Sequence, residues 1–177
     1  MAALAILFRI ACAITAKEVY FSLSITFLTT AYHLLMRLAV GEAVTLLYRN
    51  REFPYDSPWF QQRSFEPRLY QWLGVKKWKL HLITAKPEQF DIHRLTYGEL
   101  RKNMTQAEVV HEVIMVLSFA PLMLIPRYGA AVVFSVTSVL ACLVDGLFVM
   151  IQRFNRPRVL RLKEKAEKRL VNVFHPR

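Results

Sequence analysis

Glu108, His111 and Glu112 put two carboxylates and an imidazole at positions i, i+3 and i+4. On a helix that spacing gathers them on one face. An imidazole beside a carboxylate is a minimal set for taking a proton from a hydroxyl, with the carboxylate orienting the ring. The three stand at the head of an apolar stretch, 107–125, where an ionisable side chain is costly and usually faces a cavity or a partner. Asp145 has the same character, alone inside the apolar stretch 130–151. A carboxylate there costs about 2.5–3.5 kcal/mol on insertion scales, so it requires a partner such as Arg37, His33 or Arg153. It reads either as half of a buried ion pair or as the group that orients His111. The candidate catalytic residues are therefore His111, Glu108 and Asp145, with His111 as the proton acceptor.

Two other readings compete at this cluster. Thr105-Gln106-Ala107-Glu108 has the form of a capping box, which predicts a helix starting at Thr105 and gives Glu108 a structural role. The sequence around His111 also resembles half of a zinc motif, but no second histidine follows at helical spacing. His81 or His93 would have to fold back to complete it, so no metal is expected.

The elements that position these residues follow from composition. The chain has 177 residues, 54% of them hydrophobic, a mean hydropathy of +0.25 and a net charge of +11. A basic balance of that size suggests nucleic acid or an anionic membrane surface. The distribution favours the membrane: of 24 Lys and Arg, 11 lie between Arg49 and Lys102 and 9 from Arg153 onward, separated by long uncharged runs. The fold class predicted is an all-α, polytopic membrane protein in one domain. Its four spans fall near 2–16, 18–40, 107–125 and 130–151, the last two forming a hairpin about Pro126-Arg127-Tyr128-Gly129. A single long tilted helix behind an interfacial or re-entrant segment is the other reading of the N-terminal part, and a cleaved signal peptide a third. Cys12 and Cys142 both sit in apolar runs and suggest no disulfide framework.

Both basic stretches, 48–106 and the tail, are expected on the cytoplasmic side, together with the two termini. Within 48–106, WFQQRSFEPRLYQWLGVKKWK interleaves aromatic rings with cations. That mixture suits the headgroup layer, as an anchoring belt or as the roof of a site for a phosphate-bearing substrate. The stretch 156–170 reads as a basic amphipathic helix lying on a surface.

Three segments carry a resemblance. SFEPRLYQWLGVKKWK at 64–79, AEVVH at 107–111 and QRFNRPR at 152–158, in that order, resemble the bacterial glycosyl-4,4'-diaponeurosporenoate acyltransferase family over roughly residues 57–165. Phe154 stands where the family has a tyrosine, His111-Glu112 where it has His-Trp, and the N-terminal part looks different. The resemblance implies acyl transfer, from acyl-CoA as co-substrate with no tightly bound cofactor, to a sugar hydroxyl of a glycosylated isoprenoid or glycolipid in a bacterial cell membrane. It implies membrane lipids and that amphiphilic acceptor as partners, and no nucleic acid. Lys76, Lys77, Trp78, Lys79, Gln152, Arg153, Asn155, Arg156 and Arg158 would then hold the donor, the cations meeting its phosphates. Pro157 is expected to break the helix as it leaves the bilayer, with Asn155 satisfying the freed backbone groups. Two other functions are carried beside this one: another membrane lipid-modifying transferase, and a non-catalytic subunit binding anionic lipid or a protein.

Overall fold

A computed structural model of the chain describes residues 2–15, 18–49, 54, 57–79, 90–91 and 93–174. Among them every regular element is a helix: α1 (Ala2–Thr15), α2 (Glu18–Leu47), α3 (Glu66–Trp72), α4 (Val75–Trp78), α5 (Tyr97–Leu117), α6 (Ile125–Tyr128) and α7 (Ala131–Phe174). Short 3-10 turns occupy Pro58–Phe60 and Ala120–Leu124. The all-α expectation holds. Three helical stretches, Val19–Leu47, Tyr97–Tyr128 and Ala131–Leu170, are long and apolar enough to cross a membrane. α1, at 14 residues, spans only about 21 Å at 1.5 Å per residue and is not among them.

The chain divides into two compact units. The first comprises Met1–Leu46 and Val110–Leu147; the second comprises Leu47–Val109 and Phe148–Arg177. α5 and α7 each contribute to both.

In the first unit, Ile25, Met36, Val40, Val44, Ile114, Phe134 and Ala141 are buried, while Leu34, Leu35, Leu38, Val132, Leu140 and Leu143 are exposed. Apolar side chains on both faces suit helices that pack together inside and meet hydrocarbon outside. The hydroxyls are silenced locally. Thr26, Thr29, Thr30, Thr45, Ser118 and Thr137 each donate to the carbonyl four residues back, at 2.7–2.9 Å, so none needs water. Ser24 Oγ instead donates to the carbonyl of Ala5 at 3.0 Å, tying α1 to α2.

Two sequence expectations are corrected. α5 starts at Tyr97, eight residues before the Thr105 start. Its capping box is Thr96 with Glu99: the Thr96 N–H donates to Glu99 Oε2 at 2.8 Å, and the Glu99 N–H donates to Thr96 Oγ1 at 3.3 Å. Pro157 does not end the helix, because α7 runs through it to Phe174; the predicted tail helix is the continuation of α7. The stretch 107–125 lies within one candidate span, Tyr97–Tyr128, whose helix is interrupted. α5 stops at Leu117 and Pro121 sits at the head of the 3-10 turn, since proline cannot donate the next helical bond. The turn before α7 carries positive φ at Gly129 (65°) and Ala130 (48°).

Candidate functional site

In the first unit, α5 supplies His111, α7 supplies Asp145 and α2 supplies Arg37. Asp145 Oδ1 lies 2.9 Å from His111 Nδ1, and its Oδ2 accepts from Arg37 Nη2. The carboxylate is 1% exposed, the His111 side chain 24%. A carboxylate only accepts, so the Nδ1 proton is on the histidine side and the basic lone pair of the neutral ring is on Nε2. The guanidinium is itself fixed: Arg37 Nη1 donates to the carbonyl of His33 at 3.2 Å and Nη2 to that of Ala141 at 3.4 Å. The result is a buried acid held by a cation on one oxygen and orienting an imidazole with the other. That is the arrangement of a general base and its orienting carboxylate. Asp145 thus touches two of the groups that the sequence offered it, Arg37 and His111.

A second cluster lies wholly in the second unit. Arg153 uses all five of its N–H donors. Nε and Nη2 reach Glu66 Oε1 at 3.0 and 2.6 Å, and Nη1 reaches Glu108 Oε1 at 2.7 Å. The two remaining bonds go to the carbonyls of Trp59 (2.9 Å) and Gln61 (3.1 Å). Arg156 Nη2 pairs with Glu108 Oε2 at 2.6 Å and Nη1 donates to the carbonyl of Phe60 at 2.6 Å. Its Nη2 also donates to Thr105 Oγ1 at 3.4 Å. Tyr70 donates its hydroxyl to Glu66 Oε2 at 3.0 Å; burial, and then the Glu66 carboxylate beside it, push the phenol pKa up. Two buried carboxylates and two guanidiniums cancel, which is the condition for burying four charges together. This cluster clamps the 3-10 turn Pro58–Phe60 and α3 onto α5 and α7.

Beside it, Lys79 Nζ donates to Asn155 Oδ1 at 2.6 Å and lies 4.8 Å from the Phe154 ring centre. Phe154 meets Tyr70 edge-on at 5.8 Å. Burial, then Arg158 and Lys76, hold the Lys79 ammonium below the ordinary lysine range. Trp78 Nε1 donates to the carbonyl of Leu73 at 3.0 Å, bracing a turn in which Gly74 takes a left-handed φ of 64°. Lys76, Lys77 and Arg158 are exposed, and Gln152 is half-buried.

The predicted catalytic residues therefore separate. His111 and Asp145 meet; Glu108 serves Arg153 and Arg156. Of the predicted donor ligands, Arg153 spends its donors within the chain, and Asn155 bonds Lys79 and not a backbone group freed by Pro157. His81 lies outside the described residues. Sequence reasoning missed Glu66 and Tyr70 as partners in the clamp. The signal was present: Glu66 is the sole acid between Ser57 and Lys79, a stretch rich in arginine and lysine, and a lone carboxylate there calls for a cationic partner.

Comparison with known proteins gives one family. The model of the CrtO family, described as glycosyl-4,4'-diaponeurosporenoate acyltransferase, matches residues 56–165. No curated protein and no solved structure matches the chain.

Proposed function

This chain belongs to the glycosyl-4,4'-diaponeurosporenoate acyltransferase family, a family of acyltransferases, and from that premise we propose its reaction. It moves a fatty acyl group from acyl-CoA to a sugar hydroxyl of a glycosylated isoprenoid or glycolipid. The observation that carries the reading is the 2.9 Å contact of Asp145 with His111 Nδ1, which leaves Nε2 as the basic atom. His111 Nε2 takes the proton as the sugar oxygen attacks the thioester carbonyl. The tetrahedral adduct collapses, the carbon–sulfur bond breaks, and the thiolate recovers the proton from the imidazolium. Asp145 stabilises the imidazolium in between, as Arg37 holds the carboxylate in place.

The donor's phosphates fall to Lys76, Lys77 and Arg158, whose exposed cations are not committed to the clamp. Arg153 and Arg156 position the elements that carry them. The protein works as a multi-pass protein of a bacterial membrane, its two basic stretches on the cytoplasmic side. Three apolar helices and the segregation of charge support that placement.

The test is lipid mass spectrometry on cells lacking the protein and complemented with wild type, His111→Ala or His111→Gln. The expected result is an acylated glycolipid restored by wild type alone, with its unacylated precursor accumulating in both variants. Full restoration by both variants would overturn His111 as the base. An unchanged lipid profile in the deletion strain would overturn the acyl transfer itself.

A further inference from the structure

In the second unit α7 presents two faces through the same short stretch. Arg153, Arg156 and Pro157 face the clamp. Ile151, Gln152, Asn155 and Val159, at helical spacing, line a pocket of about 250 Å³ together with Phe90, Leu100 and Met104. An apolar cavity of roughly 150 Å³ already admits a benzene-sized guest, so this one has room for a length of hydrocarbon chain. Leu100 and Met104 lie one turn apart on α5 and are among the most buried side chains, at 0% and 2% exposed. They form the buried wall of a pocket that is open on another side.

Apolar, amide and cationic groups adjoin at this pocket. Five apolar side chains line it, and the amides of Gln152 and Asn155 are its polar groups. Asn155 in turn holds Lys79, which stands close enough to Lys76 and Arg158 to feel their charge. A molecule complementary to these neighbours has an apolar chain, an amide-bearing arm and an anionic end. An acyl thioester of a phosphorylated pantetheine carrier has these three parts in this sequence. A membrane phospholipid has the first and last without the amide arm.

We propose that this pocket receives the acyl chain of the donor, with Leu100 and Met104 as the wall that sets chain length, and Gln152 and Asn155 as the amides that meet its arm. The proposal rests on the acyl-CoA reading above and adds the specificity-determining residues to it. Misfit of a single methylene in an apolar pocket changes kcat/KM by about 10–200-fold, so a wall residue that grows should shorten the preferred donor.

The experiment measures kcat/KM of the purified protein for short-, medium- and long-chain acyl-CoAs, in wild type, Val159→Phe, Met104→Phe and Leu162→Met. Val159 is half-buried, so its replacement tests the pocket even where Met104→Phe fails to fold. The volume-conserving Leu162→Met, at an exposed position of α7 outside the pocket, is the control. The expected result is at least a tenfold loss with long-chain donors in the Phe variants, short-chain rates kept, and a Leu162→Met variant like wild type. A chain-length profile that the Phe variants leave unchanged, or lower uniformly, overturns the pocket while the acyltransferase reading stands. A wild type inactive with every donor overturns that reading and the pocket with it. A second readout is thermal stabilisation in detergent. Long-chain acyl-CoA should stabilise wild type more than CoA does, and the excess should vanish in Val159→Phe. Excess stabilisation by phospholipid vesicles but not by long-chain acyl-CoA would give the pocket to a membrane lipid and overturn the proposal.

Discussion

Asp145 has two oxygens and two different partners, and that division decides what an amide in its place would do. Arg37 only donates, so in Asp145→Asn the amide oxygen stays with the guanidinium and the N–H2 turns to His111. Nδ1 must then accept, the ring proton moves to Nε2, and the lone pair proposed to take the sugar proton is lost although the ring stays in place. Asp145→Asn should therefore lower kcat by about 10²–10⁴-fold while KM for the acyl donor holds; steady-state kinetics would show it. A raised KM with kcat unchanged would mean that Asp145 serves binding instead. Lys79 makes a different prediction. Its pKa is held below the ordinary 10.5 by burial first, and then by Arg158 and Lys76, so at a given pH more of it is the neutral, nucleophilic amine. It should be labelled by an amine reagent faster than Lys163 or Lys165, and Arg158→Gln should slow that labelling by raising the pKa again. The linkage has the same sign: a lowered folded-state pKa penalises the charged form, so stability rises with pH from the lowered value up to 10.5. Lys79→Met should flatten that rise in a pH series of thermal melts, and an unchanged slope would count against the shift.

At the scale of elements, α2 carries two neighbouring polar residues with opposite roles. Arg37 neutralises a buried carboxylate, and Arg37→Leu would leave Asp145 with one cation fewer, at a cost of about 3 kcal/mol. His33 is buried, 5% exposed, and neither ring nitrogen has a hydrogen bond among the described residues. His33→Leu removes that unsatisfied group and should be neutral or stabilising by about 1 kcal/mol. Thermal melts in detergent compare the two, and a large loss for His33→Leu would mean that the imidazole has a partner in the working protein. In α7, Pro157 denies the Arg153 carbonyl its helical N–H, a fault worth about 3 kcal/mol in a helix interior. Pro157→Ala should raise the melting temperature; a fall would mean that the proline itself helps to seat Arg153 and Arg156 in the clamp. These elements also mark what could be read in the sequence. The buried Asp145 and its contact with His111 were legible, because an isolated charge in an apolar run demands a partner and few exist. The start of α5 was misread because two capping boxes occur in succession, Thr96 with Glu99 and Thr105 with Glu108, and local chemistry ranks them equally. Only the packing of Arg156 against Thr105 and Glu108 makes the second an interior site. Pro157 was misread for the reverse reason. The tertiary ion pairs of Arg153 and Arg156 before it, and the bond from the Tyr97 N–H to Glu167 after it, hold a helix together that propensity alone would end. The Glu66–Arg153 pair joins residues 87 positions apart, and no local pattern fixes contacts at that range.

For the whole molecule, the question is which surface meets the lipid headgroups. In the second unit Trp72 is 82% exposed, Trp59 52% and Phe65 55%, beside the exposed cations Arg68, Lys76 and Lys77. Large rings left out of a core, next to positive charge, match the layer where indoles sit amphipathically and cations meet phosphate. In solution the same surface would be an aggregation hazard. Trp78 is the internal control, since its ring is half-buried and its N–H is bonded to the Leu73 carbonyl. The chain has three tryptophans, so variants that keep one each, with phenylalanine at the other two, isolate each signal. In vesicles carrying lipids brominated near the headgroup, Trp72 and Trp59 fluorescence should be quenched strongly and that of Trp78 weakly. Adding anionic lipid should deepen the Trp72 response, and salt should reverse the added part, because exposed charges are screened within about 8–10 Å at physiological ionic strength. Equal quenching of all three would mean that the layer surrounds the unit instead of touching one face of it. No quenching of Trp72 would remove the second unit from the membrane surface, and a donor-binding role for Lys76 and Lys77 would then have to operate in water, where exposed cations hold phosphate far less tightly.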